Sequence, residues 1–204
     1  MRKGMFIDIH THHGSLDGEK VVRQDVHSIG IHPWDITLEN ADRLIVDFNN
    51  RVVDNRCISI GECGLDKLCN ASLDLQEQIF RYQIAKSEEL HLPVIIHCVK
   101  TVDDMLRIRK ELFPTQPWIF HGFRGKPQQL QQLLSHGLYI SFGIHYNVES
   151  LRSCPLDRLF LETDDTEYFI PFIYNKVCDD LNISLPQLEK QIEENFMRVF
   201  SCNV

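Results

Sequence analysis

No run of apolar residues in this 204-residue chain approaches the roughly 18 that a membrane-crossing helix requires. A bilayer span is therefore not expected. The opening Met1-Arg2-Lys3-Gly4 carries some positive charge, but Asp8, His10, His12 and His13 interrupt the apolar stretch that an export signal needs. The seven cysteines include no C-x-x-C pair, and their odd number suits no complete disulfide framework. A reduced, cytoplasmic protein is the expectation. Basic charge is also scarce: 21 Lys and Arg against 29 Asp and Glu give a net charge of −8. That argues against an extended basic footprint for nucleic acid and leaves room only for local phosphate recognition. The length fits one domain, 1–204, with a substantial core, and is too short for two ordinary ones.

Histidine, by contrast, is plentiful, with ten residues. Three of them close the stretch Phe6-Ile7-Asp8-Ile9-His10-Thr11-His12-His13, whose apolar residues read as a short buried strand. Side chains two apart on a strand share a face, so Asp8, His10 and His12 point the same way. A His-x-His pair suits a divalent metal, because neutral imidazole nitrogen is a good borderline ligand. Alone it is a weak signal. Its meaning depends on whether matching ligands appear later.

Further apolar runs follow at 27–34, 57–62, 93–97, 118–121, 138–142 and 158–164. Helical periodicity separates most of them. Leu38, Leu44, Ile45 and Phe48 mark one helix, and Ser72 caps a long one reaching to about Leu90. Thr101 with Asp104 resembles a capping box, Pro127 opens a helix closed near Gly137, and Ser184 with Gln187 opens the last. The polar stretch Gly14–Asp25 reads as a loop, with Val21-Val22 at most a short extended piece. Strand alternating with helix is the pattern of an α/β protein with a parallel sheet. His10/His12, Glu62, His97, His121 and Asp164 all fall at C-terminal ends of strands. In a β/α barrel that rim is where active sites are built; an open doubly wound sheet usually offers a single switch point. A TIM-like β/α barrel is expected, incomplete at about seven strands.

Six motifs in order then resemble those of TatD-like metal-dependent hydrolases: Asp8-Ile9-His10-Thr11-His12, Gly30-Ile31-His32-Pro33, Ile60-Gly61-Glu62-Cys63-Gly64-Leu65-Asp66, Pro93-Val94-Ile95-Ile96-His97, His121-Gly122-Phe123-Arg124-Gly125 and Glu162-Thr163-Asp164. The resemblance implies His10, His12, Glu62 and Asp164 around one divalent ion. Glu62 would bridge to a second ion held by His97 and His121. It also implies hydrolysis of a phosphoester by a metal-activated water, with Asp164 accepting the proton. Two ions, Zn, Mn or Mg, are expected, and DNA ends are a candidate substrate. Four imidazoles and two carboxylates leave two dications a surplus of positive charge, which lowers the pKa of a bound water and polarises a phosphoryl oxygen.

The chain also departs from that family. Relatives with the full barrel run to about 250 residues, and the shortfall here falls between His13 and His27. A second shortening follows Asp164, where Asp165-Thr166-Glu167-Tyr168-Phe169 replaces a longer loop. Loops on this rim commonly set substrate choice. Trp34 stands where the family motif has a second His, and Val99-Lys100 where it often has Arg. His32, Trp34, Lys100 and Arg124 are the candidate substrate contacts, each with a plainer reading as packing or solvated charge. Two other functions stay open on the residues alone: metal-dependent hydrolysis of an amide, ester or lactone, and a metal-binding barrel without catalysis.

Overall fold

In the computed structural model, which describes residues 6–13, 19–23, 25 and 27–200, helix alternates with strand in the order β1 (Phe6–Thr11), β2 (Glu19–Arg23), β3 (Ser28–Ile29), α1 (Ala41–Val52), β4 (Ser59–Asp66), α2 (Leu73–Leu90), β5 (Val94–Val99), α3 (Val102–Leu112), β6 (Trp118–Phe120), α4 (Pro127–Ser135), β7 (Tyr139–Phe142), α5 (Val148–Ser153), β8 (Leu159–Leu161), α6 (Ile170–Leu181) and α7 (Leu185–Phe200). β1 pairs with β2, β3 with β4, β4 with β5 and β7 with β8, all in parallel. The chain divides into two compact units, one made of the segments up to Arg23 and from Phe120, the other ending at Ile119.

In the unit ending at Ile119, β4 lies between β3 and β5, with Gly64 opposite His97. α2 is N-capped by the Ser72 side chain, which accepts the Leu75 N–H at 3.3 Å, and buries Ile79, Phe80 and Ile84. Two buried glutamines, seven residues apart on one face of α2, tie this helix to the strand ends. Gln83 takes the Ile31 N–H at 2.6 Å and donates to the Ile31 carbonyl at 3.2 Å. Gln76 does the same for Asp66, at 2.8 and 3.0 Å. Each amide satisfies a buried backbone donor and acceptor that would otherwise carry a desolvation penalty. The backbone is thereby fixed beside His32 and at Asp66. Thr101 departs from expectation: its hydroxyl makes no cap on α3 and donates instead to the Leu65 carbonyl at 2.8 Å.

In the other unit, β1 pairs with β2 along one edge and on the other meets the chain just past β8, through a parallel bridge between Thr11 and Asp164. At the start of β1 the Tyr174 hydroxyl takes the place of a neighbouring strand, accepting the Ile7 N–H at 3.1 Å and donating to the Ile7 carbonyl at 3.0 Å. Asn195 on α7 reaches the Leu156 and Leu159 carbonyls at 2.7 and 2.8 Å, fixing the chain where β8 begins.

The stretch expected to be a loop contains a strand instead. Residues Glu19–Arg23 form a strand in register with β1, Phe6 opposite Glu19 and Asp8 opposite Val21. The described residues therefore hold eight strands rather than seven. Pairing with β1 supplies the ladder bonds, and burial of Val22 anchors the strand. What is reduced is the connection, since seven residues, 12–18, join two parallel strands where a crossover ordinarily takes a dozen or more.

Candidate metal centre

On β1 both Asp8 and His10 are buried, as are the residues between and beside them, while His12 lies just past the strand and is exposed. His10 is fully buried at the end of an Ile-Asp-Ile-His run whose other members pack the interior. Asp164 is held beside it by a backbone exchange, the Asp164 N–H donating to the His10 carbonyl at 3.0 Å and the His12 N–H to the Asp164 carbonyl at 3.1 Å. That exchange places Asp164 at a φ of 56°, a left-handed conformation that Asp tolerates better than most residues. Its Oδ1 then lies 3.6 Å from Nε2 of both His10 and His12. The His121 ring stands 4.7 Å from His10, centroid to centroid. His10, His121 and Asp164 offer ligand atoms within 4.8 Å of one another.

Two buried carboxylates support this group. Asp8 accepts the Thr163 N–H at 3.1 Å and the Thr163 hydroxyl at 2.6 Å, pinning the residue before Asp164. Burial pushes the Asp8 carboxyl up to about 7, against the lowering effect of the Thr163 hydrogen bonds. Glu162, wholly buried, accepts the Gly122 N–H through Oε1, and the same oxygen lies 3.4 Å from His121 Nδ1. A carboxylate beside Nδ1 favours the tautomer that leaves Nε2 available as a ligand.

The unit ending at Ile119 carries a second group. His32, Glu62 and His97 present ligand atoms within 4.8 Å of one another. His97 Nδ1 is 2.6 Å from Glu62 Oε1, and His32 Nε2 is 3.4 Å from the same oxygen. The His32 and His97 rings are 4.4 Å apart. On its other side His97 Nε2 meets Asp66 Oδ2 at 2.9 Å, and that oxygen also accepts the Trp34 indole N–H at 2.7 Å. Burial pushes the Asp66 carboxyl up, but the hydrogen bonds from His97, Trp34 and the Leu68 N–H outweigh it and hold the group below the ordinary carboxylate value. His32 is fixed by accepting the Trp34 backbone N–H on Nδ1 at 3.2 Å.

The remaining candidates divide. Arg124 lines a cleft of about 350 Å³ together with Asp164, His145 and Tyr168. Lys100 is exposed just after β5. Trp34 commits its N–H to Asp66 while 60% of its surface stays open. Among the described residues no helix is long and apolar enough to cross a membrane.

The family model described as TatD related DNase matches residues 7–201. The chain belongs to this family. It is 25% identical over 198 residues to the uncharacterized metal-dependent hydrolase YabD of Bacillus subtilis, covering 86% of this chain and 77% of that protein. It is 33% identical over 177 residues to the 3'-5' ssDNA/RNA exonuclease TatD of a Rahnella species, covering 80% and 66%. A crystal structure of YJJV, a TatD homolog from Escherichia coli, superposes with a TM-score of 0.74 at 18% identity, over 97% of this chain and 86% of that one. The chain thus spans three quarters or less of several TatD relatives, and 40% of the deoxyribonuclease Tat-D of Schizosaccharomyces pombe.

TatD membership and the His, Glu and Asp groups together make this a divalent-metal-dependent hydrolase of the nuclease type. The donor sets fit such an ion: each unit presents two imidazoles and a carboxylate at mutual distances that one dication can span. Asp66 beside His97 and Glu162 beside His121 stand where outer carboxylates would orient such histidines. Strand parity put Asp8 on the face of His10, whereas the Trp34 contact to Asp66 carries no local signal.

Proposed function

We propose that this chain hydrolyses phosphodiester bonds at single-stranded nucleic-acid ends, using two divalent ions drawn from Zn, Mn and Mg. The ligands in this reading are His10, His12, Glu62, His97, His121 and Asp164, with His32 completing the group around Glu62 and His97. The observation that carries the reading is the position of Asp164. Its carboxylate lies 3.6 Å from two histidines and also opens onto the cleft that holds Arg124. When bound, such ions acidify a coordinated water and polarise a phosphoryl oxygen. Asp164 accepts the proton released, Arg124 contacts the phosphate, and the open surface of Trp34 contacts the substrate chain. The names of relatives, an ssDNA/RNA exonuclease and a deoxyribonuclease, support this substrate class. The six described cysteines, all free thiols, support action in the cytoplasm.

The test is to strip the purified protein with chelator, restore it with each metal, and follow oligonucleotides labelled at either end. Shortening from one end, with about two metal equivalents bound, is expected. Bound metal with no cleavage of single-stranded DNA, RNA or simple phosphodiesters would overturn the reading. Turnover of amides, esters or lactones instead would move the chain to carbonyl chemistry.

A further inference from the structure

Three aromatic side chains stand in solvent at the entrance to α6: Tyr168, Phe169 and Phe172 are 49%, 61% and 51% exposed. Tyr168 and Phe172 lie face to face, with ring centroids 4.9 Å apart and planes inclined by 17°. Most ring pairs described in this protein meet at steep angles, as Phe123 and Phe142 do at 83°. The other stacked pair, Phe196 with Phe200, is buried in the core. Tyr168 and Phe172 therefore form a flat aromatic stack left open to water. Such surface is costly to expose without use.

Its position gives it a use. Tyr168 lines the cleft that also holds Asp164 and Arg124. Glu162, Asp165 and Glu167 line the same cleft, so charge alone holds a polyanion poorly there. A neutral stacking contact adds affinity without that repulsion, and every nucleobase offers a π-face to it. A flat platform reads no base edges, so it tolerates sequence and favours purines only by their area.

We infer that Tyr168, backed by Phe172, is a stacking platform for the nucleobase beside the phosphate being cleaved. This rests on the proposed nuclease reading, and two experiments separate the fates of the two ideas. In the first, metal-free protein is titrated into short oligothymidylates carrying 2-aminopurine at the 3' or the 5' end. Stacking should quench the probe at one end; Tyr168→Ala should abolish the quenching and Tyr168→Phe should keep it. In the second, the metal-loaded enzyme is assayed on single-stranded DNA, where Tyr168→Ala should raise KM roughly tenfold or more, with the loss falling on KM rather than kcat. Equal quenching by wild type and Tyr168→Ala overturns the platform, as does a dimer that Tyr168→Ala dissolves. Quenching lost in Tyr168→Ala supports it even in a protein that cleaves nothing, in which case the nuclease reading falls alone.

Discussion

The indole N–H of Trp34 donates to Asp66 Oδ2 at 2.7 Å, and His97 Nε2 reaches that same oxygen at 2.9 Å. One carboxylate oxygen thus couples an aromatic in the turn after His32 to the orientation of a candidate ligand. With Nε2 engaged by Asp66, His97 turns Nδ1 toward Glu62. Outer partners of metal-binding histidines are commonly worth 10–100-fold in metal affinity. Asp66→Ala should therefore weaken binding of Zn or Mn by roughly 10–100-fold. Trp34→Phe, which keeps the ring and loses the N–H, should have a smaller effect in the same direction. Calorimetric titration of the metal-free protein reads both, and unchanged affinity in the pair of variants would remove Asp66 from this role.

Asp164 carries a different expectation, because it faces His10 and His12 and also the cleft. Asp164→Asn keeps the shape and an oxygen ligand but loses the proton acceptor. General acid–base groups contribute about 10²–10⁴-fold, so kcat should fall by that order while most of the metal remains. Elemental analysis beside the rate measurement separates the two effects, and full activity in the variant would exclude Asp164 as the base.

Tyr174 tests the packing beneath the site. Its hydroxyl is the hydrogen-bond partner of both the N–H and the carbonyl of Ile7, and Ile7 and Tyr174 are almost wholly buried. Tyr174→Phe leaves those two groups without that partner in an apolar setting, which costs about 1–3 kcal/mol. A lower urea midpoint with an unchanged slope is the expected result.

These contacts also mark the limit of what the sequence could tell. Strands β1, β4, β5 and β8 were legible because apolar runs are local signals, and they located His10, Glu62, His97 and Asp164; yet Glu62, expected at a strand end, stands in the middle of β4, which runs on to Asp66. β2 was not legible. Glu19-Lys20-Val21-Val22-Arg23 has too few apolar residues to announce a strand, and its state is decided by pairing with β1. The Trp34–Asp66 bond spans 32 residues, and Gln83 meets Ile31 across 52. Such partners follow only from how helix lies on strand. Thr101 read as a cap for the same reason: its choice of the Leu65 carbonyl depends on where β4 runs.

Gly64 shows how closely the site depends on that strand packing. Its φ of 152° lies in a region that side chains rarely adopt, and a Cβ there would stand 1.9 Å from the His97 carbonyl oxygen. Gly64→Ala must therefore push β5 away from β4 or twist the backbone at the residue paired with His97. Overpacking of a tight interior costs about 1–3 kcal/mol, and the disfavoured φ adds to it. The expected variant is one that melts several degrees lower and binds metal more weakly, since Glu62 and His97 sit on the two displaced strands. Because the clash is with backbone, no rotamer change relieves it, so Gly64→Ala should be worse than Cys63→Ala at the adjoining buried position. Comparing the two by thermal melts and metal titration checks this; equal effects would mean that the strands part without cost at Gly64.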